Sequence, residues 1–321
     1  MSSTRTVTEA APRTGPGRLA RLAGRLPAAP PRWVRPVLLA NLVGEVGIVV
    51  TGGVVRLTGS GLGCSTWPQC QPGSFTPVRT PESAYHDLVE FGNRTLTFVV
   101  AILAVVSLWV VLTHWPTRRR LHLAAIGVLA GIPAQAVLGG ISVLTGLNPW
   151  IVMGHFLLSM VLVALSTVVV RGARDDVSGP GELVVHPLAR RLALVTSALG
   201  AVVLLLGTIV TGSGPHSGDA DRPARTGFDP QAVSWLHADA VMLFCGLVVA
   251  TLVAMRITAH TEEASRAWTT VLVVTLAQGV VGYVQYFTKL PEVLVLVHML
   301  GASLLVVALT FGVLSTRRHP V

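Results

Sequence analysis

His155, His237 and His298 each lie about five to seven residues inside one end of a long apolar segment, a setting where ionisable side chains are rare and mark functional sites. Imidazoles at a common depth read as metal ligands. His237 and His298 sit at matching depth in segments that run parallel to each other, so they can reach one metal atom from two sides, as axial ligation of haem requires. The spacing predicts a bis-histidine haem b in the second half of the chain. The plainer alternative is that each ring donates to a backbone carbonyl on a neighbouring helix.

His155 has no histidine at the place that His237 would suggest. The run Glu90-Phe91-Gly92-Asn93-Arg94 stands there instead. Asn93 lies at the expected depth and is a poor iron ligand. His86, on the same helical face as Glu90 and Asn93, either caps the site from the loop or is a surface residue. Glu90 lies about one turn into an apolar helix, where its charge needs a partner such as Arg94, four residues on. That pair either fixes the helix as a salt bridge, or supplies a proton acceptor or a carboxylate that stabilises positive charge on a substrate. Glu45, midway along the first apolar segment, has no assigned role; Asp239 can orient a helix end or a haem group.

The elements that must hold these residues are written in the composition. The chain of 321 residues is 51% hydrophobic and 12% charged, with a mean hydropathy of +0.66, which places it among all-α integral membrane proteins. Eight segments, near 37–56, 87–113, 122–145, 149–171, 190–212, 232–255, 267–288 and 292–315, are long enough to cross a hydrocarbon core of about 30 Å as helices. Of the 24 Lys and Arg, 18 fall in 1–35, 118–120, 171–191, Arg256, Arg266, Arg317 and Arg318. The positive-inside rule then makes both termini cytoplasmic and the net charge of +9 topological, with no nucleic-acid partner implied. Arg56, Arg79, Arg94, Arg222, Arg225 and Lys289 belong to the outer loops or the helix ends beside them. Arg56, Arg94, Arg222, Arg225 and Lys289 are candidates either for pairing with haem propionates or for contact with lipid phosphate.

The chain divides into a disordered cytoplasmic tail (1–36), a four-helix bundle (37–171), a cytoplasmic linker (172–188), a second four-helix bundle (189–315) and a short tail (316–321). Gln135, Gly139, Thr145, Leu147 and His155 recur 143 positions later as Gln278, Gly282, Thr288, Leu290 and His298, and Thr51-Gly52 resembles Thr211-Gly212. These coincidences predict two tandem, pseudo-symmetric bundles of the same orientation. Cys64 and Cys70 share the first outer loop, on an oxidising side, and can form a disulfide; Cys245 within the sixth segment is a packing residue. Trp67 and Pro68 predict a compact loop resting on the membrane interface.

Residues 51–70, TGGVVRLTGSGLGCSTWPQC, resemble the first-helix and first-loop signature of the haem A synthase family. The run at 90–94, His155, LHAD at 236–239 and HMLGAS at 298–303 follow in that family's order. The resemblance covers about residues 37–315. It implies an eight-helix oxidoreductase of the bacterial plasma membrane that converts haem O to haem A by oxidising the C8 methyl group to a formyl. It also implies haem b on His237 and His298, His155 as axial ligand of the substrate haem, Glu90 assisting the chemistry, and a bonded Cys64 and Cys70. Haem O synthase and terminal oxidase assembly factors are the partners it suggests, with membrane lipid around the helices. One departure stands out: the family's Glu-x-x-His-Arg is Glu-Phe-Gly-Asn-Arg here, with Asn93 in the histidine's place.

Two other classes compete with the enzyme. A bis-histidine membrane cytochrome b passing electrons from quinol would favour two complete histidine pairs, and a non-catalytic haem carrier would not need Glu90. No paired Asp-rich motif of the kind that binds magnesium diphosphate is present, which disfavours prenyl transfer.

Overall fold

The computed structural model describes residues 24–78, 85–174, 181–219 and 222–318. The expected disorder of residues 1–23, the middle of the linker (175–180), Arg79 and the last three residues lie outside the described residues. Eight helices long and apolar enough to cross a membrane make up most of the described residues. They are α1 (Pro31–Leu57), α2 (His86–His114), α3 (Arg119–Leu144), α4 (Pro149–Gly172), α5 (Pro187–Ser213), α6 (Pro230–Thr258), α7 (Glu262–Phe287) and α8 (Glu292–Leu314).

Proline opens α1, α4, α5 and α6, where its preset φ suits the first helical turn and its missing N–H loses nothing. Side chains of Asn148, His186 and Asp229 accept from the free amides of Trp150, Leu188 and Ala232 at the starts of α4, α5 and α6. The first helix therefore starts at Pro31, earlier than the apolar boundary at 37, because hydropathy marks the lipid-compatible stretch and not the hydrogen-bonded one. The linker and the C-terminal tail meet in a small sheet. Two short strands, β1 (Glu182–Leu183) and β2 (Arg317–Arg318), pair antiparallel.

Helices α1 to α4 close a ring in which α1–α2, α2–α3, α3–α4 and α1–α4 pack as neighbours, and α5 to α8 do the same. The rings join through α1, α4, α5 and α8. One apolar cluster fills the first ring and reaches Val306 of α8. A second, around Phe244, Met255 and Trp268, fills the other. At the end that carries both termini, Arg171 of α4 pairs with Glu263 of α7 at 3.0 Å, and Arg317 donates to the Gly181 carbonyl at 2.9 Å. At the opposite end the Gly61 amide donates to the Gly218 carbonyl at 2.9 Å, tying the loop after α1 to the loop after α5.

The turns that follow α3 and α7 are alike in detail. Gly146 and Leu147 have φ of 61° and 58°, and Lys289 and Leu290 have φ of 63° and 61°. In both turns the leucine amide reaches back 2.7 Å to the carbonyl five residues earlier, Ser142 or Gln285. Each turn thus reverses the chain in a few residues and delivers a histidine-bearing helix against its predecessor.

Close approach of α3 and α4 requires Gly131, because a Cβ there would strike the side chain of Leu162. Gly131→Val is expected to destabilise the protein by about 1–3 kcal/mol through overpacking. The check is a lower melting midpoint in detergent than that of Gly154→Ala, at a position where an added Cβ meets nothing within 4 Å.

Candidate intramembrane ligand site

A cavity of about 1180 Å³ runs through both rings and is lined by Glu45 and Arg56 of α1, Glu90, Asn93 and Arg94 of α2, His155 of α4, His237 of α6 and His298 of α8. Trp67 and Pro68 of the loop after α1 also line it. The helices that carry the chemistry are diagonal partners in their rings, α2 with α4 and α6 with α8. Neither diagonal pair is among the well-packed helix pairs, so a gap separates them, and the gap is where the side chains meet.

Each histidine ring rests on a glycine of an adjacent helix. An added Cβ on Gly139 would lie 3.4 Å from Cε1 of His155, one on Gly207 3.2 Å from Cε1 of His237, and one on Gly282 3.4 Å from Cε1 of His298. The three glycines are cradles that a side chain would fill. In each ring Nδ1 is buried without a hydrogen-bond partner, and for His237 the Val203 backbone of α5 is the neighbouring hydrogen-bonding group.

The repeated glutamines hold the histidine-bearing turns. Gln278 of α7 donates through Nε2 to the backbone carbonyl of His298 at 2.9 Å, in space left by Gly301, where a Cβ would collide with the glutamine. Gln135 of α3 reaches His155 through an intermediary: its Nε2 donates to Ser159 Oγ at 2.5 Å, and that hydroxyl donates to the His155 carbonyl at 3.2 Å. Such interhelical bonds are worth about 0.6 kcal/mol on average inside a membrane. Their main effect is to fix rotation of α4 and α8.

Opposite His155 the arrangement differs. Asn93 lines the cavity and its Oδ1 accepts a 2.7 Å hydrogen bond from Thr51 of α1. Where α5 sets Gly207 against the imidazole of α6, α1 sets the Thr51 hydroxyl against the amide of α2.

Glu90 is 5% exposed and fully engaged. Its Oε1 accepts from Arg94 at 2.5 and 3.1 Å, and its Oε2 accepts from the Cys64 amide at 2.6 Å. Arg94 also donates to the carbonyls of Thr66, Gln69 and Cys64. One guanidinium thus ties α2 to the loop closed by the Cys64–Cys70 disulfide, whose Cα atoms are 4.3 Å apart. The salt bridge anticipated from the i, i+4 spacing is present, and it also anchors the loop. The expected interfacial loop has an inward-facing part: Trp67 lies against Gly140 of α3, where a Cβ would overlap the indole.

The other candidates fall into two groups. Arg56 lines the cavity, donates through Nη2 to the Thr211 carbonyl of α5 at 2.9 Å, and has a buried Nε without a partner. Asp239 lines the cavity as well. By contrast, Arg222, Arg225 and Lys289 are exposed and absent from its lining, which reduces the cationic candidates there to Arg56 and Arg94. His86 is likewise outside the lining; its Nδ1 is bonded to Ser60 Oγ at 2.9 Å, because the start of α2 packs against the loop rather than over the cavity. Cys245 is a free thiol.

Sequence reasoning missed several participants. Thr51 as the partner of Asn93, Gly207 as a cradle and Trp67 as a cavity wall depend on which helices face each other. Gly139 and Gly282 did leave a signal, because they recur with the histidines at one spacing.

Among the described residues no group of three or more His, Cys, Asp and Glu is placed to cage a metal ion. Imidazoles from diagonal helices over an apolar cavity instead suit a metal held equatorially by a porphyrin, and their glycine cradles and unpartnered Nδ1 atoms fit that group.

Fold and site together define an eight-helix membrane protein with its intramembrane histidines on one shared cavity. Residues 35–310 match the COX15-CtaA family, cytochrome oxidase assembly protein, and the chain belongs to that family. Similar curated proteins are each named heme A synthase. The one from Lysinibacillus sphaericus is 35% identical over 137 residues, 40% of this chain and 41% of its own length. That from Bacillus pumilus is 26% identical over 290 residues, 83% of this chain and 88% of the relative. That from Bacillus mycoides is 23% identical over 302 residues, 90% and 94% of the two chains. The first of these matches spans about two-fifths of the relative's length.

Removing Arg94 leaves Glu90 and three loop carbonyls without their shared donor. Arg94→Ala is expected to speed reduction of the Cys64–Cys70 disulfide by a water-soluble phosphine severalfold, read by thiol labelling, whereas Arg222→Ala leaves the rate unchanged.

Proposed function

We propose that the protein oxidises the C8 methyl group of haem O to a formyl group, giving haem A for terminal oxidases. The observation that carries this reading is the placement of His155, His237 and His298 on one cavity, each ring seated on a glycine. Relatives named heme A synthase that match most of the chain support it. In this proposal His237 and His298 hold haem b in the second bundle, and haem O enters the first bundle from the lipid with His155 on its iron.

Haem b, when bound, supplies one-electron transfer. The conversion itself is a four-electron oxidation: counting the oxygen as entering from water, R–CH3 and H2O give R–CHO, four protons and four electrons, and the electrons go to an acceptor outside this chain. Glu90 is pinned by Arg94 and the Cys64 amide at the cavity wall, so it meets a substrate without prior reorganisation. A fixed carboxylate there stabilises positive charge developing at the oxidised carbon or accepts a proton from water. Apolar side chains of the cavity accommodate the farnesyl tail. Arg56, with its unpartnered Nε, is the cation best placed for a propionate.

Both termini are assigned to the cytoplasm and the disulfide loop to the outer side of a bacterial plasma membrane, following the distribution of arginine. The 143-residue recurrence and the matching turns after α3 and α7 support a tandem duplication, with each ring as a unit. The partners in this scheme are a haem O-forming enzyme upstream and oxidase assembly factors downstream. A cytochrome b of two equivalent sites is disfavoured by Asn93 opposite His155.

His237→Ala or His298→Ala is expected to abolish the low-spin haem b signal of the purified protein, and full retention would contradict the cofactor assignment. Glu90→Ala is expected to keep haem b while haem A formation, measured by extraction and chromatography in cells supplied with haem O, falls by about 10²-fold or more; normal product would return Glu90 to anchoring the loop.

A further inference from the structure

The two carboxyl groups that line the cavity in the first ring are held in opposite ways. Glu90 is fixed by Arg94 and the Cys64 amide. Glu45 of α1 is 3% exposed, has a buried Oε1 without a partner and forms no ion pair among the described residues. The lining residues of α1 are Glu45, Ile48, Val49, Gly52, Val55 and Arg56; their spacing of three and four makes them one face of the helix. Glu45 is the deepest of them, about three turns from Arg56 toward the end that carries both termini. Asn41, one turn deeper on that face, is also buried. Its Nδ2 donates to Ser166 Oγ of α4 at 3.1 Å, and its Oδ1 is buried without a partner. Two orphaned acceptors therefore sit one turn apart, where side chains are neighbours, and the chain supplies neither with a donor. A carboxylate can only accept, whereas a carboxylic acid has an O–H to give and a bridging water has two.

We infer that Glu45 is the proton-exchanging carboxyl of the first ring, taking protons from water in the cavity and passing them to water held beside Asn41. The inference rests on the reading of this ring as the substrate site, and it leaves Glu90 the role of a fixed charge. An isolated anion is costly inside a membrane, so Glu45 is stable there as the neutral acid. Positive charge building in the cavity expels its proton to the water beside Asn41. The resulting carboxylate takes the next proton from the water that attacks the oxidised carbon: the O–H bond breaks, its electron pair stays on oxygen, and Glu45 is again the acid. The other titratable groups on the helices packed against α1 leave this task to it. Glu90 and Arg94 of α2 hold each other. His155 of α4 and His298 of α8 lie within two turns of their helix starts, at the opposite end from both termini, and His86, Asp87, His114, Arg171 and Glu292 lie at helix ends.

The test uses the full chain purified in detergent. Dicyclohexylcarbodiimide, an apolar reagent that adds to carboxylic acids and spares ion-paired carboxylates, should modify Glu45 and not Glu90, as mapped by peptide mass spectrometry. Reducing the bound haem should shift a deuterium-sensitive carboxylic C=O band in the infrared difference spectrum, and Glu45→Gln should remove that band while the visible haem spectrum is kept. In cells supplied with haem O, Glu45→Gln should lower haem A formation by about 10²-fold, and Glu45→Asp, which restores an acid, should recover part of it. Unaltered haem A formation in Glu45→Gln would overturn the inference. So would a loss of product with neither an adduct nor a band traceable to Glu45, since the defect would then be one of packing. If the unmodified protein forms no haem A, the proposed function fails instead, and the adduct and the band still decide whether Glu45 exchanges protons.

Discussion

A ring nitrogen inside a membrane can be aimed only by its neighbours, because no water is present to satisfy or orient it. Here the aiming is done by close contact between adjacent helices at glycine. Gly139, Gly207 and Gly282 let α3, α5 and α7 approach the imidazoles of the next helix to van der Waals distance. Gln278, and Gln135 through Ser159, hold the turns that carry His298 and His155. The ring geometry follows from this: neighbouring helices pack tightly, and the side chains they orient project into the gap between diagonal ones.

The same constraint explains why polar chemistry is confined to the cavity wall. Glu90, 5% exposed in an apolar helix, persists because Arg94 and the Cys64 amide meet both of its oxygens. Breaking such a buried pair costs about 3–5 kcal/mol, so the carboxylate, the arginine and the disulfide loop stand or fall together. That coupling also gives the loop a place in the site. It carries Trp67 onto α3 at Gly140, so the covalent closure of an extramembrane loop sets one wall of an intramembrane cavity. Glu45, 3% exposed with a buried Oε1 that lacks a partner, is the contrasting case: it lines the cavity without a compensating cation among its hydrogen bonds.

The two rings are joined at both ends and are not interchangeable. Arg56 reaches from α1 to the Thr211 carbonyl of α5 and Arg171 from α4 to Glu263 of α7, so polar contacts tie the rings at both ends. Besides the Glu90–Arg94 pair and the disulfide loop of the first ring, the rings differ in the residue facing the last helix's histidine, histidine in α6 and asparagine in α2. A pair of imidazoles grips metal tightly. In the proposed reading, one imidazole facing a hydrogen-bonded amide would hold a substrate haem less tightly than the pair would hold a resident one.

The existence and length of the eight spanning helices were legible from hydropathy, because lipid demands about 20 apolar residues per crossing. The three histidines and Glu90 were legible because ionisable groups are rare in such segments. Helix ends were less so: α1 begins at Pro31, ahead of its apolar stretch, since hydrogen bonding and not hydropathy sets a helix boundary. His86 shared a helical face with Glu90 and Asn93 in sequence, yet the loop packed over it bonds it to Ser60. Arg222, Arg225 and Lys289 had the right sign of charge and sit outside the cavity lining. The sequence by itself determined which residues are costly to place in a membrane. Only the tertiary structure decided which of them share a cavity, because contacts such as Thr51 with Asn93 and Gly207 with His237 join residues on different helices, and their meeting depends on helix packing that no local pattern encodes.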